Sequence, residues 1–123
     1  MISTQTQTRI GWTMSILLSL LFAMSALMKI TGNEEALKQA VAMGFDAGAY
    51  QSLGYVELLA IALFLFPRTG VVGALLLMVY MGGAICAHLV SHQPLVPVIA
   101  FEILLWLTAA FRFPELRERL FNS

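Results

Sequence analysis

Four ionisable side chains stand inside or at the ends of long apolar runs: Lys29, Glu57, His88 and Glu102. These are groups that hydrogen-bond carbonyl or hydroxyl oxygens and carry protons to and from them, so together they could hold an oxygen-bearing ligand or do acid–base chemistry on it. Two carboxylates facing one lysine and one histidine leave a charge mismatch unless a proton is shared. A shared proton would turn one glutamate into a hydrogen-bond donor or an acid. Ser25, Tyr55, Tyr80 and Trp106 are the further candidates for ligand contact around Lys29. Tyr55, like Tyr50 and Trp12, also suits an interfacial anchor, and Tyr80 and Trp106 could line a pocket or face lipid.

The elements that must position these groups are membrane spans. Of the 123 residues 59% are hydrophobic and only 11% charged, with a mean hydropathy of +0.83. Soluble domains average about 25% charged residues, so the composition predicts an integral membrane protein, all-α and in a single domain over residues 1–123. A net charge of zero and the lack of any basic run exclude nucleic acid as a partner. Cys86 is the only cysteine, which excludes an internal disulfide or dithiol. Its surroundings predict a packing residue. No metal site is expected, since His88 and His92 form a bare i, i+4 pair with no third ligand.

Residues 1–10 read as a mobile polar tail. The apolar stretch 11–30 is long enough to cross a bilayer of about 30 Å at 1.5 Å per residue. A cleaved signal peptide competes with that reading, but the n-region is weakly basic and no small-residue cleavage site precedes Lys29. Further spans are expected over 53–66, 70–90 and 94–111. Between the first two, residues 33–43 read as a short amphipathic helix lying in the interface or folded over the bundle as a lid. It is capped by Thr31 with Glu34 or by Asn33, and stopped by Gly44. Gly82, Gly83, Ala84 and Ala87 form a small-residue strip that permits close helix approach. The tail after residue 111 is short and amphipathic.

Four spans put both termini on one side, with Arg9, Arg68, Arg112, Arg117 and Arg119, against Lys29 and Lys38 on the other. The positive-inside rule then places both termini in the cytoplasm of a cell (inner) membrane. This topology turns residue numbers into depths. Lys29 ends the first span, Glu57 lies one to two turns into the second, His88 is in the last turn of the third, and Glu102 is roughly 12 Å into the fourth. All four fall in the non-cytoplasmic half. Lys29 shares its stripe with Ser25 and Phe22, and Glu57 shares its own with Gly54 and Ala60, so the charged faces turn inward. A charge facing lipid at mid-depth costs about 2.5–3.5 kcal/mol. The plainer reading of the same cluster is adhesive, with polar contacts holding helices together where lipid supplies no hydrophobic drive.

The segments "FAMSALMK" ending at Lys29, "LGYVELL" around Glu57, "GALLLMVYMGGAICAHL" ending at His88 and the late "PEL" resemble, in the same order, those of DoxX-like membrane proteins. Ala26 stands where that family usually shows glycine. The resemblance implies a small four-helix bundle with a polar pocket toward one membrane face, and carries interest to Lys29, Glu57 and His88. Relatives include a subunit associated with thiosulfate:quinone oxidoreductase and proteins linked to redox or membrane-protein maturation.

The leading expectation is therefore a binding or accessory protein for a lipophilic, redox-linked small molecule, with a quinone as first candidate. Lys29 would hold the oxygen, and Glu57 or Glu102 with His88 would relay protons. No flavin motif, haem-ligand pattern or dithiol identifies a cofactor, so electrons would come from a partner protein. The competing expectations are a stand-alone enzyme doing isomerisation or ring opening on a hydrophobic substrate, a small exporter working as a homodimer, and an assembly partner of a larger membrane protein.

Overall fold

A computed structural model of the chain describes residues 3–121. The helices are α1 (Thr4–Thr31), α2 (Glu34–Met43), α3 (Ala47–Leu65), α4 (Gly70–Val90), α5 (Val96–Arg112) and α6 (Pro114–Phe121), with a 3-10 turn at Pro67–Thr69 before α4. Helix α1, helix α3, and helix α4 with its preceding turn are each long and apolar enough to cross a membrane. Helix α5 is apolar and 17 residues long, and it packs beside α1 and α4. Neighbouring long helices run antiparallel. Ala26 and Ile30 of α1 meet Gly54 of α3, Phe64 of α3 meets Gly73 of α4, and Phe22 of α1 meets Phe101 of α5. The result is an up-down-up-down bundle around a core that includes Leu18, Phe22, Ala60, Phe64, Leu77 and Leu105. Outward-facing apolar side chains such as Leu17, Leu20, Met24, Leu59 and Leu75 are at least half exposed, as a lipid-facing surface requires.

The polar start of the chain is not a loose tail. Helix α1 begins at Thr4, where Ser3 Oγ accepts from the Thr6 amide at 3.1 Å, and the hydroxyls of Thr8 and Thr13 donate to the Thr4 and Arg9 carbonyls. Each serine or threonine thus satisfies a local backbone group, and the helix extends well before the apolar run. Residues 1 and 2 lie outside the described residues. Helix α3 likewise starts at Ala47, ahead of the expected 53, because Asp46 caps it: Oδ1 accepts from the Ala49 amide at 2.7 Å. Helix α5 starts at Val96 with Pro97 in its first turn, so Pro94 precedes it.

Helix α2 is capped by Asn33, whose Oδ1 accepts from the Glu35 amide at 2.9 Å, while Thr31 is still part of α1. Gly32 and Gly44 take left-handed backbone conformations with φ of 70° and 82°, which end α1 and α2 and fold α2 back over the bundle end. Ala36 and Ala40 of α2 form a small cluster with Tyr50 of α3, flanked by Met43, Phe45 and Leu53. Helix α6 turns 107° away from α5, and Arg117 on it donates to the carbonyls of Ala110 and Phe111, closing the open end of α5.

The Asp46 cap sets the direction of α3 just before Tyr50 and Glu57. Asp46→Ala is expected to cost about 1 kcal/mol and to raise amide exchange over residues 47–50. Unchanged exchange there would show that packing of Tyr50 alone defines the helix start.

Candidate functional site

Glu57 is 1% exposed, held by its place on the inward stripe of α3 with Tyr50, Gly54 and Ile61. Three donors from two other helices converge on one of its oxygens. Lys29 Nζ reaches Glu57 Oε1 at 3.1 Å, Tyr80 OH donates to it at 3.2 Å and Ser25 Oγ at 3.4 Å. Lys29 Nζ also donates to Ser25 Oγ at 2.5 Å, one turn back on its own helix. The ammonium lies 5.4 Å from the Tyr50 ring centroid and 5.7 Å from that of Tyr80, so two aromatic rings lie within cation–π reach of it. Among the described residues, the hydrogen bonds made to this carboxylate all end on Oε1.

Close helix approach makes this geometry possible. An added Cβ on Gly54 would come within 2.9 Å of the Ala26 carbonyl oxygen and 3.0 Å of Lys29 Cβ. The tight crossing thus places its glycine on α3, while Ala26 on α1 is fully buried. Gln51 adds a bond across the same pair, donating to the Ile30 carbonyl at 2.9 Å, which would otherwise be an open end of α1.

The ion pair forms one wall of a cavity of about 540 Å³. Ser25, Lys29, Tyr50, Glu57, Tyr80 and His88 supply its polar edges; Phe22, Met81 and Phe101 supply apolar wall, and Gln39, Met43 and Phe45 close it from the α2 side. His88 Nδ1 is 2.7 Å from the Ala84 carbonyl. A carbonyl only accepts, so Nδ1 carries the hydrogen and a neutral imidazole keeps Nε2 as an acceptor.

The sequence-predicted residues divide accordingly. Lys29, Ser25, Glu57, Tyr80 and His88 come together at the cavity. Glu102 does not line it: its Oε2 is 3.9 Å from where a Gly82 Cβ would lie, on the α4–α5 side, and its buried Oε1 has no hydrogen-bond partner among the described residues. Tyr55 and Trp106 are 57% and 48% exposed and point away from the cavity. Tyr50, Gln39, Phe45 and Phe101 line it without having been singled out as ligand contacts. For Tyr50 the available signal was its spacing of seven residues from Glu57, two turns along one helical face.

A second charged group is buried at the opposite end. Arg112 is 3% exposed, with its guanidinium carbon 3.8 Å from the Trp12 ring centroid, 4.7 Å from Phe113 and 4.8 Å from Phe64. Nη1 donates to Ser15 Oγ at 3.3 Å, and among the described residues Arg112 makes no ion pair. A charge that the sequence only counts among the arginines on the terminus-bearing side is therefore packed among aromatic rings, with Trp12 lying against it.

No curated protein and no solved structure matches the chain. The sequence profile of the DoxX-like family matches residues 13–111, which takes in Lys29, Glu57 and His88, the whole of α3 and α4 and most of α1 and α5. A small helical membrane bundle with this profile over most of its length belongs to the DoxX-like family.

Proposed function

We propose that the bundle binds an uncharged, oxygen-bearing lipophile of the quinone type, with its ring in the apolar part of the cavity and an oxygen at Lys29 and Tyr80. The observation that carries this reading is a buried ion pair on the wall of an otherwise apolar cavity instead of one sealed inside packed side chains. Replacing a buried ion pair with apolar residues is often neutral or stabilising, so adhesion alone is a weak reason to keep one. A cavity of about 540 Å³ is also within the usual range for small-molecule sites.

Lys29 and Tyr80 are both donors, already oriented by a carboxylate, and a ligand oxygen can replace part of that contact. His88 offers a proton route at the same wall. Electron transfer would need a partner protein, and the role is accessory to redox metabolism in a bacterial inner membrane. Arg9, Arg68, Arg112, Arg117 and Arg119 belong to the end bearing both termini, which supports cytoplasmic termini and a cavity in the non-cytoplasmic half. His88 facing the same cavity as Glu57 also favours a second reading, acid–base turnover of a hydrophobic substrate without any electron donor.

The deciding experiment is mass spectrometry of small molecules retained through gentle purification, with wild type compared to Glu57→Gln and Lys29→Met at matched folding. A quinone or related lipophile is expected in the wild type and depleted about ten- to a hundredfold in the variants, the equivalent of a charge-assisted hydrogen bond of 1.5–3 kcal/mol. Equal retention in all three, or none in any, would remove the ligand reading and leave Lys29–Glu57 as helix adhesive.

A further inference from the structure

Five residues that line the cavity are themselves exposed at the protein surface. Leu21 is on α1, and the other four are Val56 on α3 with Leu76, Val79 and Gly83 on α4. Val56 is 49% exposed and Val79 73%. A residue that is both cavity wall and outer surface marks a place where the cavity breaks through.

The four on α3 and α4 flank a single seam. At Phe64 and Gly73 the backbones of these helices are in direct contact, since a Cβ on Gly73 would overlap the Phe64 backbone. From Gly73 the stripe facing α3 continues through Leu76 and Tyr80 to Gly83, at steps of three and four residues, and from Phe64 the facing stripe runs back through Ala60 to Val56. Gly83 lies about 15 Å along α4 from Gly73, and a Cβ there would meet no atom within 4 Å. The two helices are thus in backbone contact at Gly73, whereas the flank of α4 at Gly83 is open. Tyr80 bridges the gap between them, its hydroxyl on Glu57.

From this we infer that the ligand is a chain-bearing amphiphile that reaches the cavity from the lipid phase. Its polar head sits at Lys29 and Tyr80, and its tail leaves between α3 and α4 past Val56, Val79 and Gly83. The inference rests on the binding reading above and extends it to the ligand's class and route. The rim residues are all apolar or glycine, so the seam matches hydrocarbon and offers nothing to a hydrated solute. A compact lipophile would leave the seam unused, whereas a tail fills it while the head keeps its hydrogen bonds.

The test is a binding comparison in nanodiscs between decylubiquinone and the tail-less ubiquinone-0, using wild type, Gly83→Phe and Cys86→Phe. The new ring at residue 83 enters open space and occupies the seam; residue 86 is exposed and outside the cavity lining. Gly83→Phe is expected to weaken decylubiquinone by tenfold or more and to leave ubiquinone-0 within about twofold, with Cys86→Phe changing neither. Equal weakening of both quinones, or of neither, would overturn the tail route.

If the wild type binds neither quinone, the head-group reading has failed, and the seam is decided by a second measurement. Phe22 lines the cavity and is 5% exposed. Phe22→Trp, with Trp12 and Trp106 replaced by Phe, should be quenched by phospholipids brominated on their acyl chains, and Gly83→Phe should remove that quenching. No quenching at residue 22, or quenching insensitive to Gly83→Phe, would overturn the seam itself.

Discussion

Lys29→Met is expected to destabilise the bundle by about 3 kcal/mol, toward the lower end of what breaking a buried ion pair costs. The loss arises because Glu57 is 1% exposed and would keep only Tyr80 and Ser25 as donors, with no countercharge. The donors left on Tyr80 and Ser25 limit the damage, which is why the upper end is not expected. The double variant Lys29→Met with Glu57→Met should regain most of the loss, since two apolar side chains of suitable length can fill the same space. Reversible unfolding in bicelles would give the double-mutant cycle. Strictly additive losses would show that the two side chains are energetically independent despite their 3.1 Å contact. The double variant has a second use. If it is as stable as the wild type and binds no ligand, stability and binding are separated at this pair.

The seam supplies the other large effect. Gly73→Ala is expected to cost about 2–3 kcal/mol, although alanine normally favours a helix by about 0.8–1.0 kcal/mol over glycine. A Cβ at Gly73 meets the backbone of Phe64, and backbone cannot be repacked as a flexible side chain can. The helices must separate or shift, and Phe64, fully buried, moves with them. Gly83→Ala on the same helix finds open space and should be neutral or slightly stabilising. Comparing the two in one unfolding assay removes helix propensity from the result. Equal effects at the two positions would contradict backbone contact at Gly73 and open space at Gly83.

Much of this architecture can be read from hydropathy and depth. The long spans are apolar enough to be recognised individually, and the short loops force them to alternate, so Lys29, Glu57 and His88 come to one level before any contact is known. Level is not side, however. Glu102 shares their depth, but the buried stripe of α5 passes through Leu105, Thr108, Ala109 and Arg112, and Glu102 lies beside that stripe next to Gly82. A near-continuous apolar span hides which face turns inward, because lipid and core select the same residues. The start of α3 is obscure for a different reason: residues 47–52 are small or polar and resemble a loop, and the only strong signal is Asp46 as a cap. Arg112 is the least legible residue. Phe113 stands beside it in sequence, but the burial of Arg112 depends also on Trp12 and Phe64 from two distant parts of the chain, and nothing near Arg112 in sequence announces those two.

Between the Lys29–Glu57 pair and Arg112, the interior is occupied by Leu18, Ala60, Phe64, Leu77, Leu105 and Ala109, each at most 6% exposed. None of these lines the cavity. The polar atoms at that depth are mostly tied locally, Ser15 to the Gly11 carbonyl and Thr108 to the Leu104 carbonyl. Among the described residues, an apolar layer therefore separates the recess from Arg112 at the far end of the bundle. In a bilayer the cavity would thus be a recess closed on the Arg112 side, open to one half of the membrane only.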